Sequence, residues 1–486
     1  MLFNSYEFLF VFLPVTLAVH QWVIRRWGGR AAMGWLAAMS LVFYGWWYPP
    51  YLVLLLASTA GNYVFGRWVS SDLRSPEARL RLLKLGVALN LFFLGFYKYT
   101  GFLDHSIETL LGYDLMLPQY ALPLGISFFT FTQIAYLVDA YRGLTRAHDS
   151  LDYVLFVTFF PHLIAGPIVH HGEMLPQFHA ARKPTSVDRA VGFTMLAVGM
   201  AKKVLIADWM AVHADKYFGM IHAGHTPTMV GAWTGVLAYH FQIYFDFSGY
   251  SDMAVGLARM FGIVFPLNFD APYRANNMID FWRRWHVTLG RFLRDYLYIA
   301  LGGSRNGTFW RYANLFLTMV LGGLWHGAGW GFVAWGAANG LFLLINHGWR
   351  KLRGGEGQGR AAVVSGRLLT TLAWMIGFIF FRSLTLGDAG VMFRTMTGLS
   401  HTGIGTMEQN LPLAFLAAFA LTQLAPTSQR WLEKYQSVLV QGTDRLHWRP
   451  SLTWSPTQRW AVIIGLLFFA CIPVIERASP FIYWAF

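Results

Sequence analysis

Apolar runs long enough to cross a lipid bilayer recur along almost the whole chain, and this feature restricts the possible folds more than any other. A transmembrane helix needs about 20 mainly apolar residues. Of the 486 residues, 55% are hydrophobic and only 13% are charged, whereas a soluble domain has roughly 25% charged residues. The sequence therefore predicts an all-α polytopic membrane protein of about 11 to 13 membrane segments, some of them re-entrant.

The apolar runs divide the chain into candidate spans, and we find no internal repeat and no separate soluble domain. We expect spans at residues 7–24, 31–47, 51–65, 86–99, 121–141, 190–206, 230–245, 312–325, 332–346, 368–381, 411–424 and 460–474. Residues 151–169 are equally apolar, but Pro161, Gly166 and Pro167 should interrupt a helix there. We interpret residues 1–486 as a single integral membrane domain.

The loops between the spans alternate in charge, and this alternation predicts the orientation of the chain. The loop after the first span carries Arg25, Arg26 and Arg30, whereas residues 104–119 contain three acidic residues and no Lys or Arg. Cytoplasmic loops are enriched in Lys and Arg. We therefore expect both termini on the outer side of the membrane. Residues 1–15 lack the basic start of a signal peptide, so we interpret them as part of a retained first span.

Several other classes of function find no support in the sequence. The net charge of +14 comes from basic residues in short loops beside apolar runs, as the positive-inside rule predicts, so we expect no binding to nucleic acid. The single cysteine, Cys471, excludes an intrachain disulfide. His286 and His326 are 40 residues apart, without the spacing of metal ligands, so we also expect no metal site.

One part of the apolar sequence, residues 241–347, contains an unusual number of ionisable side chains. Charged groups at membrane depth are costly, so they usually face a cavity or one another and indicate function. The group comprises Asp246, Asp252, Asp280, Arg283, Arg284, His286, Arg291, Arg294, Asp295 and His326. We therefore place the candidate site in this segment.

His326 is the strongest single candidate. A lone histidine in an apolar segment can be a simple packing residue, but four glycines surround this one: Gly322, Gly323, Gly327 and Gly329. Glycines remove side-chain bulk where a backbone or a substrate approaches closely. A neutral imidazole can take a proton from an attacking hydroxyl or thiol, so we favour a general base. His326 follows Tyr312 by 14 residues, which on a helix is about 20 Å, in the middle or outer half of the membrane.

The arginines before and after His286 allow two interpretations. Guanidinium groups bind phosphate or carboxylate, so Arg283, Arg284, Arg291 and Arg294 could receive an anionic donor. Alternatively, the spacing of four residues lets Arg284 pair with Asp280, and Arg291 with Asp295, on a helix.

Three further groups of residues receive weaker assignments. Asp246, Ser248, Tyr250 and Asp252 either line a cavity or form an internal hydrogen-bond network, and we favour the network. Trp325, directly before His326, is a candidate for binding the substrate or the donor. His162, His170 and His171 lack neighbouring arginines, and we interpret them as loop or interface residues.

Long motifs in a fixed order give the chain a resemblance to a known family. They include MLFNSYEFLFVFLPV, PLGISFFTF, FPHLIAGPIV, AKKVLIAD, FDFSGYSDMAVG, FWRRWHVTLGRFLRDYLYI, GGLWHGAGWGFVAWG and SPFIYWAF. The chain resembles the membrane-bound O-acyltransferases, in particular their bacterial alginate O-acetyltransferase branch. The resemblance implies a helical shell around a central tunnel and a catalytic core at approximately residues 121–350. It also implies that His326 is the principal catalytic residue and His286 the second.

The resemblance also implies substrates, partners and a location. The donor would be acetyl-CoA or a similar acyl thioester from the cytoplasm, with no tightly bound cofactor. Besides membrane lipid, the partners would be a periplasmic acetyltransferase of the SGNH-hydrolase-like type and an exported polysaccharide, in a bacterial inner membrane with both termini periplasmic. Two alternatives stay open: acetylation of peptidoglycan or D-alanylation of teichoic acid within the same fold, and, in another class, a transporter with a histidine proton relay.

Overall fold

The computed structural model describes residues 1–113, 115–118, 120–145, 149–355, 357, 359–439, 453–477 and 481. In these residues the regular secondary structure is helical, and one isolated β-bridge joins Pro266 and Leu439. The prediction of an all-α fold is therefore confirmed.

The helices fall into two compact units. Of the described residues, the first unit comprises those within Met1–Gly199, Tyr250–Leu267 and Trp431–Glu476, and the second comprises those within Met200–Gly249, Asn268–Arg430 and Arg477–Phe486. The helices of the first part of the chain are α1 (Leu13–Arg26), α2 (Gly28–Gly45), α3 (Pro49–Val69), α4 (Pro76–Leu111), α5 (Ile126–Tyr141), α6 (Ser150–Thr158), α7 (Phe160–Leu163), α8 (His171–Ala180) and α9 (Ser186–Met200). The two units are groups of residues that contact one another more than they contact the rest of the chain. The interpretation of the chain as one membrane domain stays a prediction.

The remaining helices carry most of the candidate residues. They are α10 (Asp208–His222), α11 (Met229–Met260), α12 (Met278–Arg284), α13 (Val287–Phe292), α14 (Thr308–His326), α15 (Trp330–Arg353), α16 (Arg360–Arg382), α17 (Leu386–Met396), α18 (Leu411–Leu424), α19 (Ser428–Trp431) and α20 (Gln458–Cys471). Turns of π-helix precede α1, join α9 to α10 and follow α13. Helix α11 extends from the second unit into the first.

Six helical stretches among the described residues are long and apolar enough to cross a membrane. They are Glu7–Arg26, Pro49–Val69, Pro76–Leu111, Ser186–His222, Arg360–Arg382 and Gln458–Ile475, and α18 is a shorter apolar helix. Each contains or overlaps a span predicted above, and the bounds of α18 coincide with the predicted ones. The total of 11 to 13 membrane segments stays a prediction.

The structure corrects one predicted boundary and confirms one predicted interruption. The predicted span 86–99 belongs to α4, which is 36 residues long and continues to Leu111. The prediction ended the span too early because the acidic residues that follow it are typical of a loop. Helix α6 ends at Thr158, a single turn follows with Pro161 in it, and α8 begins only at His171. The interruption predicted at residues 151–169 is therefore present.

Candidate active site

His326 is the last residue of α14 and is almost completely buried. Because a helix rises about 1.5 Å per residue, its backbone lies roughly 27 Å along the helix from Thr308. The helix ends here because Gly327 is extended, with φ −157° and ψ 151°. The sequence WHG thus places an imidazole at the C-terminal end of a long apolar helix.

Three aromatic rings surround the His326 imidazole. The ring centroids of Trp325, Trp335 and Phe381 lie 4.9, 5.0 and 5.5 Å from that of His326, all in edge-to-face orientation. They come from α14, α15 and α16, so three helices hold the imidazole in place. Trp325, predicted to bind the substrate or the donor, therefore packs directly against the imidazole of His326, and its role in binding stays a prediction.

Glycines explain why α14 and α15 can pack closely enough to build this environment. A Cβ atom on Gly323 would lie 2.3 Å from the carbonyl oxygen of Phe332, and one on Gly336 would lie 2.5 Å from that of Met319. At Gly327 an added Cβ would overlap the Phe332 ring. Of the four glycines that flank His326 in the sequence, Gly323 and Gly327 thus allow the close approach of α14 and α15.

His286 lies at a sharp break between α12 and α13. Its backbone is left-handed, with φ 44°, a conformation that is uncommon for residues other than glycine and costs of order 1–3 kcal/mol. The break is held by two backbone hydrogen bonds from neighbouring segments: Val287 N–H donates to the Asn268 carbonyl, and Asp270 N–H donates to the Arg284 carbonyl, both at 2.9 Å.

The surroundings of His286 fix which ring nitrogen carries the proton. Its Nδ1 lies 3.0 Å from Oδ1 of Asn268, which also accepts a hydrogen bond from the Thr288 hydroxyl at 2.8 Å. Since that amide oxygen can only accept, Nδ1 must be the protonated nitrogen. Among the described residues, the buried Nε2 has no hydrogen-bond partner, and it carries a lone pair. His286 therefore has a preset acceptor nitrogen, as a base or a substrate-binding group requires.

Aromatic side chains of the second unit form a continuous path between the two histidines. Trp285, adjacent to His286, lies 4.9 Å from Trp374. Trp374 lies 6.4 Å from Trp335, which packs against His326. These ring contacts connect the surroundings of the two predicted catalytic residues, whose roles stay predictions.

The arginines near His286 divide between the two interpretations offered by the sequence. Arg284 Nε lies 2.8 Å from Oδ1 of Asp280, as the spacing of four residues predicted. Arg294 pairs with Asp295, with Nε–Oδ1 2.7 Å. Arg283 is exposed, and no ion pair involves it within the described residues. Arg284 is thus paired with a carboxylate, as the second interpretation predicts. Arg283 is the better candidate for a residue that binds an anionic donor.

Asp246 belongs to a buried charge cluster that sequence reasoning missed. Lys203 Nζ lies 2.6 Å from Oδ1 of Asp246 and 2.8 Å from Oδ1 of Asp208, and all three side chains are at most 9% exposed. Lys203 lies in the π-helical turn Ala201–Ala207, a type of irregularity frequent at functional sites. The sequence feature that could have indicated this cluster is Lys203 itself, a charged residue inside an apolar run.

Ser248 and Tyr250, two of the other three residues of the predicted DFSGYSD group, belong to different compact units. Ser248 is buried on α11, and its hydroxyl oxygen has no hydrogen-bond partner among the described residues. Tyr250 falls in the first unit, where its ring stacks on Phe3 at a centroid distance of 4.9 Å. Roles for both in binding stay predictions.

A second polar cluster, in the first unit, involves two histidines interpreted above as loop or interface residues. His170 Nε2 lies 2.8 Å, and His171 Nδ1 3.6 Å, from Oδ2 of Asp139. The three ligand atoms lie within 4.8 Å of one another, an arrangement that could hold a metal ion. However, Arg142 lies 3.5 Å from the same carboxylate, and His170 also caps α8 through Nδ1. The contacts already present suit a structural cluster.

Together these features define a class: a multi-pass helical membrane protein with two buried histidines on a shared aromatic path. Comparison with known proteins identifies the family. The profile of the MBOAT, or membrane-bound O-acyltransferase, family matches residues 81–386. The chain belongs to this family and is an O-acyltransferase, which confirms the predicted class and leaves the transporter alternative without support.

Individual relatives are similar over most of their length. The chain is 38% identical to a probable alginate O-acetylase AlgI of Pseudomonas putida, over 100% of both chains. It is 42% identical to the corresponding protein of Pseudomonas aeruginosa, over 82% of this chain and 75% of the relative. It is also 39% identical to a peptidoglycan O-acetyltransferase of Helicobacter pylori, over 83% and 81% respectively.

Proposed function

We propose that this protein transfers an acetyl group from a cytoplasmic thioester, acetyl-CoA or a similar donor, toward an exported polysaccharide such as alginate. The observation that carries the proposal is the buried imidazole of His326, held by aromatic rings from three helices in a chain similar throughout its length to an alginate O-acetylase. The final transfer would involve a periplasmic acetyltransferase of the SGNH-hydrolase-like type. The described chain, mostly apolar helices, supplies no separate glycan-binding domain.

In the proposed reaction His326 acts as the general base. Its imidazole takes the proton of the acceptor hydroxyl, while the hydroxyl oxygen forms a bond to the acetyl carbonyl carbon. The carbon–sulfur bond of the donor then breaks, and the proton passes from His326 to the departing thiolate. The proton is conserved and no atom changes oxidation state, so the step needs no redox cofactor. The aromatic surroundings favour this chemistry because they exclude water that would hydrolyse the thioester.

His286 and Arg283 would act on the donor. The buried Nε2 of His286 is an acceptor of fixed orientation, suited to a hydrogen bond from an N–H group of a pantetheine-like arm. Arg283 is exposed at the end of α12, three residues earlier in the chain, where it can bind a phosphate of the donor. This arrangement would orient the thioester without a tightly bound cofactor.

The proposal includes a location and an orientation. We place the protein in the bacterial inner membrane with both termini in the periplasm. The support is the charge pattern of the loops: Arg350, Lys351 and Arg353 close α15, and Arg25 and Arg26 close α1. Clusters of this kind favour the cytoplasmic side.

Peptidoglycan O-acetylation is a second candidate, because the relative from Helicobacter pylori is a peptidoglycan O-acetyltransferase. The two functions share the donor and the proposed chemistry, so they differ only in the final acceptor. Composition analysis of both polymers from the same cells distinguishes them.

The test measures acetyl content of exported polysaccharide, and of peptidoglycan, in cells that lack the native gene. These cells are complemented with wild type, His326→Ala or His347→Ala at equal membrane levels. His347 is the matched control, a partly buried histidine on α15 whose ring faces Tyr312 at 5.9 Å. We expect acetyl groups with wild type and His347→Ala and none with His326→Ala. Full acetylation with His326→Ala would refute the role of His326 as the base.

A further inference from the structure

Asn268, the residue that orients His286, carries an amide NH₂ group without a hydrogen-bond partner among the described residues. The residue is 1% exposed, so water does not replace the missing partner at the surface. Leaving a buried donor without an acceptor costs about 1–3 kcal/mol. An unpaired buried group in a folded protein therefore calls for an explanation, and a role in catalysis is one.

The hydrogen bonds of Asn268 establish which of its two terminal atoms is the unpaired one. The Thr288 backbone N–H at 3.4 Å and the Thr288 hydroxyl at 2.8 Å approach the same atom. A backbone N–H can only donate, so this atom is the amide oxygen and the other is the NH₂ nitrogen. The oxygen also accepts the Nδ1–H of His286. The amide cannot turn its NH₂ group to another partner without losing these bonds.

Three unfavourable features coincide at Asn268 and His286. In the described part of the chain, the Asn268 NH₂ group lacks an acceptor, and the buried Nε2 of His286 lacks a donor. The His286 backbone is left-handed, with φ 44°. Each feature costs on the order of 1–3 kcal/mol. Strain and unpaired polar groups that occur together in this way are typical of functional sites.

The aromatic surroundings make the unused NH₂ group an effective donor. The His286 imidazole meets the Phe247 ring edge-to-face at a centroid distance of 4.7 Å, and the Phe269 ring lies 6.4 Å away at an interplanar angle of 21°. A hydrogen bond is stronger in such apolar surroundings than in water. Since both unpaired nitrogens are buried, a ligand has to shift a ring to reach them.

An N–H donor beside a nitrogen acceptor is complementary to a ligand that has a carbonyl oxygen and an N–H group. Under the proposed function, His286 Nε2 binds an N–H group in the arm of the donor. The same ligand carries the thioester carbonyl. Its oxygen gains negative charge when the acceptor hydroxyl attacks, and a fixed N–H donor is most effective at an atom where charge develops.

We propose that Asn268 Nδ2 donates a hydrogen bond to the carbonyl oxygen of the acyl thioester, in addition to orienting His286. This inference rests on the proposed function and adds a catalytic residue to it. When the acceptor oxygen bonds to the carbonyl carbon, the π electrons of the carbonyl move onto its oxygen, where the Asn268 N–H stabilises them. When the carbon–sulfur bond breaks, the carbonyl forms again. No proton passes to or from Asn268.

The first test is isotope-edited infrared spectroscopy of acetyl-CoA, labelled with ¹³C at the acetyl carbonyl and bound to the purified full-length protein. Every form carries His326→Ala, so that the thioester is not consumed. We expect the carbonyl band of the bound thioester at a lower wavenumber than in an apolar solvent. A band no lower than in that solvent would overturn the inference without reference to any variant. Absence of acetyl-CoA binding would overturn the proposed donor as well.

Two variants separate donation by Asn268 from an effect through His286. Asn268→Asp keeps an oxygen for His286 Nδ1–H and for Thr288 but replaces the NH₂ group with an oxygen, at almost unchanged volume. His286→Ala removes the imidazole, while Thr288 still holds the amide. We expect the lowered band to be lost in Asn268→Asp and kept in His286→Ala. Loss in both would show that Asn268 acts only through His286, and retention in both would exclude Asn268 as the donor; either result overturns the inference.

A measurement in cells connects the infrared band to function. Cells that lack the native gene are complemented with wild type, Asn268→Asp or the control Asn276→Asp at equal membrane levels. The control makes the same chemical change at an amide whose oxygen accepts a hydrogen bond from Arg367 Nε at 2.9 Å.

Loss of one donor to a developing oxyanion costs about 100- to 1,000-fold in kcat. We therefore expect the acetyl content of exported polysaccharide to be lower by about tenfold or more with Asn268→Asp, and unchanged with Asn276→Asp. Acetyl content equal to wild type with Asn268→Asp would overturn the inference and leave the proposed function standing. Absence of acetyl groups with wild type would refute the proposed function itself.

Discussion

A single methyl group at Gly336 should test whether the close contact of α14 and α15 positions His326. A Cβ atom there would lie 2.5 Å from the Met319 carbonyl oxygen and 2.9 Å from the Val320 Cα atom. Ordinary contacts begin near 3.4 Å, so the two backbones must separate by about 0.9 Å. The displaced carbonyl lies seven residues before His326 on the same helix.

The expected magnitudes follow from this displacement. Forcing a methyl group into a packed interface costs about 1–3 kcal/mol, and alanine recovers about 0.8–1 kcal/mol of helix propensity relative to glycine. The net loss of stability for Gly336→Ala is therefore about 0–2 kcal/mol. A shift of 1 Å at a catalytic group can cost about 100-fold in rate. We expect activity to fall about 10- to 100-fold in a protein that still folds.

Gly348→Ala is the matched control, since it lies on the same helix and an added Cβ there meets nothing within 4 Å. The assay is the acetyl content of exported polysaccharide in complemented cells at equal membrane levels, alongside thermal unfolding of the purified protein in detergent. Gly348→Ala should keep full activity and equal or higher thermal stability. Full activity of Gly336→Ala would refute the claim that this contact sets the position of His326.

Three further predictions address other parts of the molecule. Asn268→Leu removes the acceptor that orients His286, so activity should fall about 10- to 100-fold with a raised KM for the donor; an unchanged KM would exclude a donor-positioning role. Lys203→Met leaves Asp246 without its cation and should destabilise the protein by about 3–5 kcal/mol, measured by thermal unfolding. The double variant Lys203→Met/Asp246→Asn should recover part of this stability, and no recovery would contradict the pairing. Dialysis against EDTA should leave activity unchanged if the Asp139 cluster is structural, whereas a loss restored by one metal ion would show a metal site.

Features carried by local patterns could be predicted from the sequence. The bounds of α18 follow from a run of apolar residues, and its structure matches the prediction residue for residue. The break before α8 follows from Pro161 and Gly166, because proline removes a helical hydrogen bond and a glycine allows a close backbone approach. His326 could be singled out because a polar imidazole in apolar sequence is costly and because the adjacent glycines indicate a close backbone approach.

Features that depend on distant partners could not be predicted. Lys203 and Asp246 are 43 residues apart, and the separation between Asp139 and His170 is 31 residues. No periodicity links such positions, and their contact is set only when the helices pack. The same limit applies to α4, whose acidic C-terminal part has the composition of a loop but is helical to Leu111; there Asp104 accepts a hydrogen bond from the Leu115 N–H at 3.1 Å, a contact that the composition does not indicate.

The break at His286 shows how tertiary contacts can override a helical pattern at a functional position. The pairs of opposite charge before and after it favour a continuous helix, and neither Trp285 nor His286 is a residue that ends helices. The chain breaks because the segment that begins at Asn268 accepts the Val287 N–H and donates the Asp270 N–H to Arg284. These bonds offset the cost of a left-handed histidine. The same Asn268 orients the imidazole through Nδ1, so one residue outside the motif both creates the bend and directs the side chain that the bend presents.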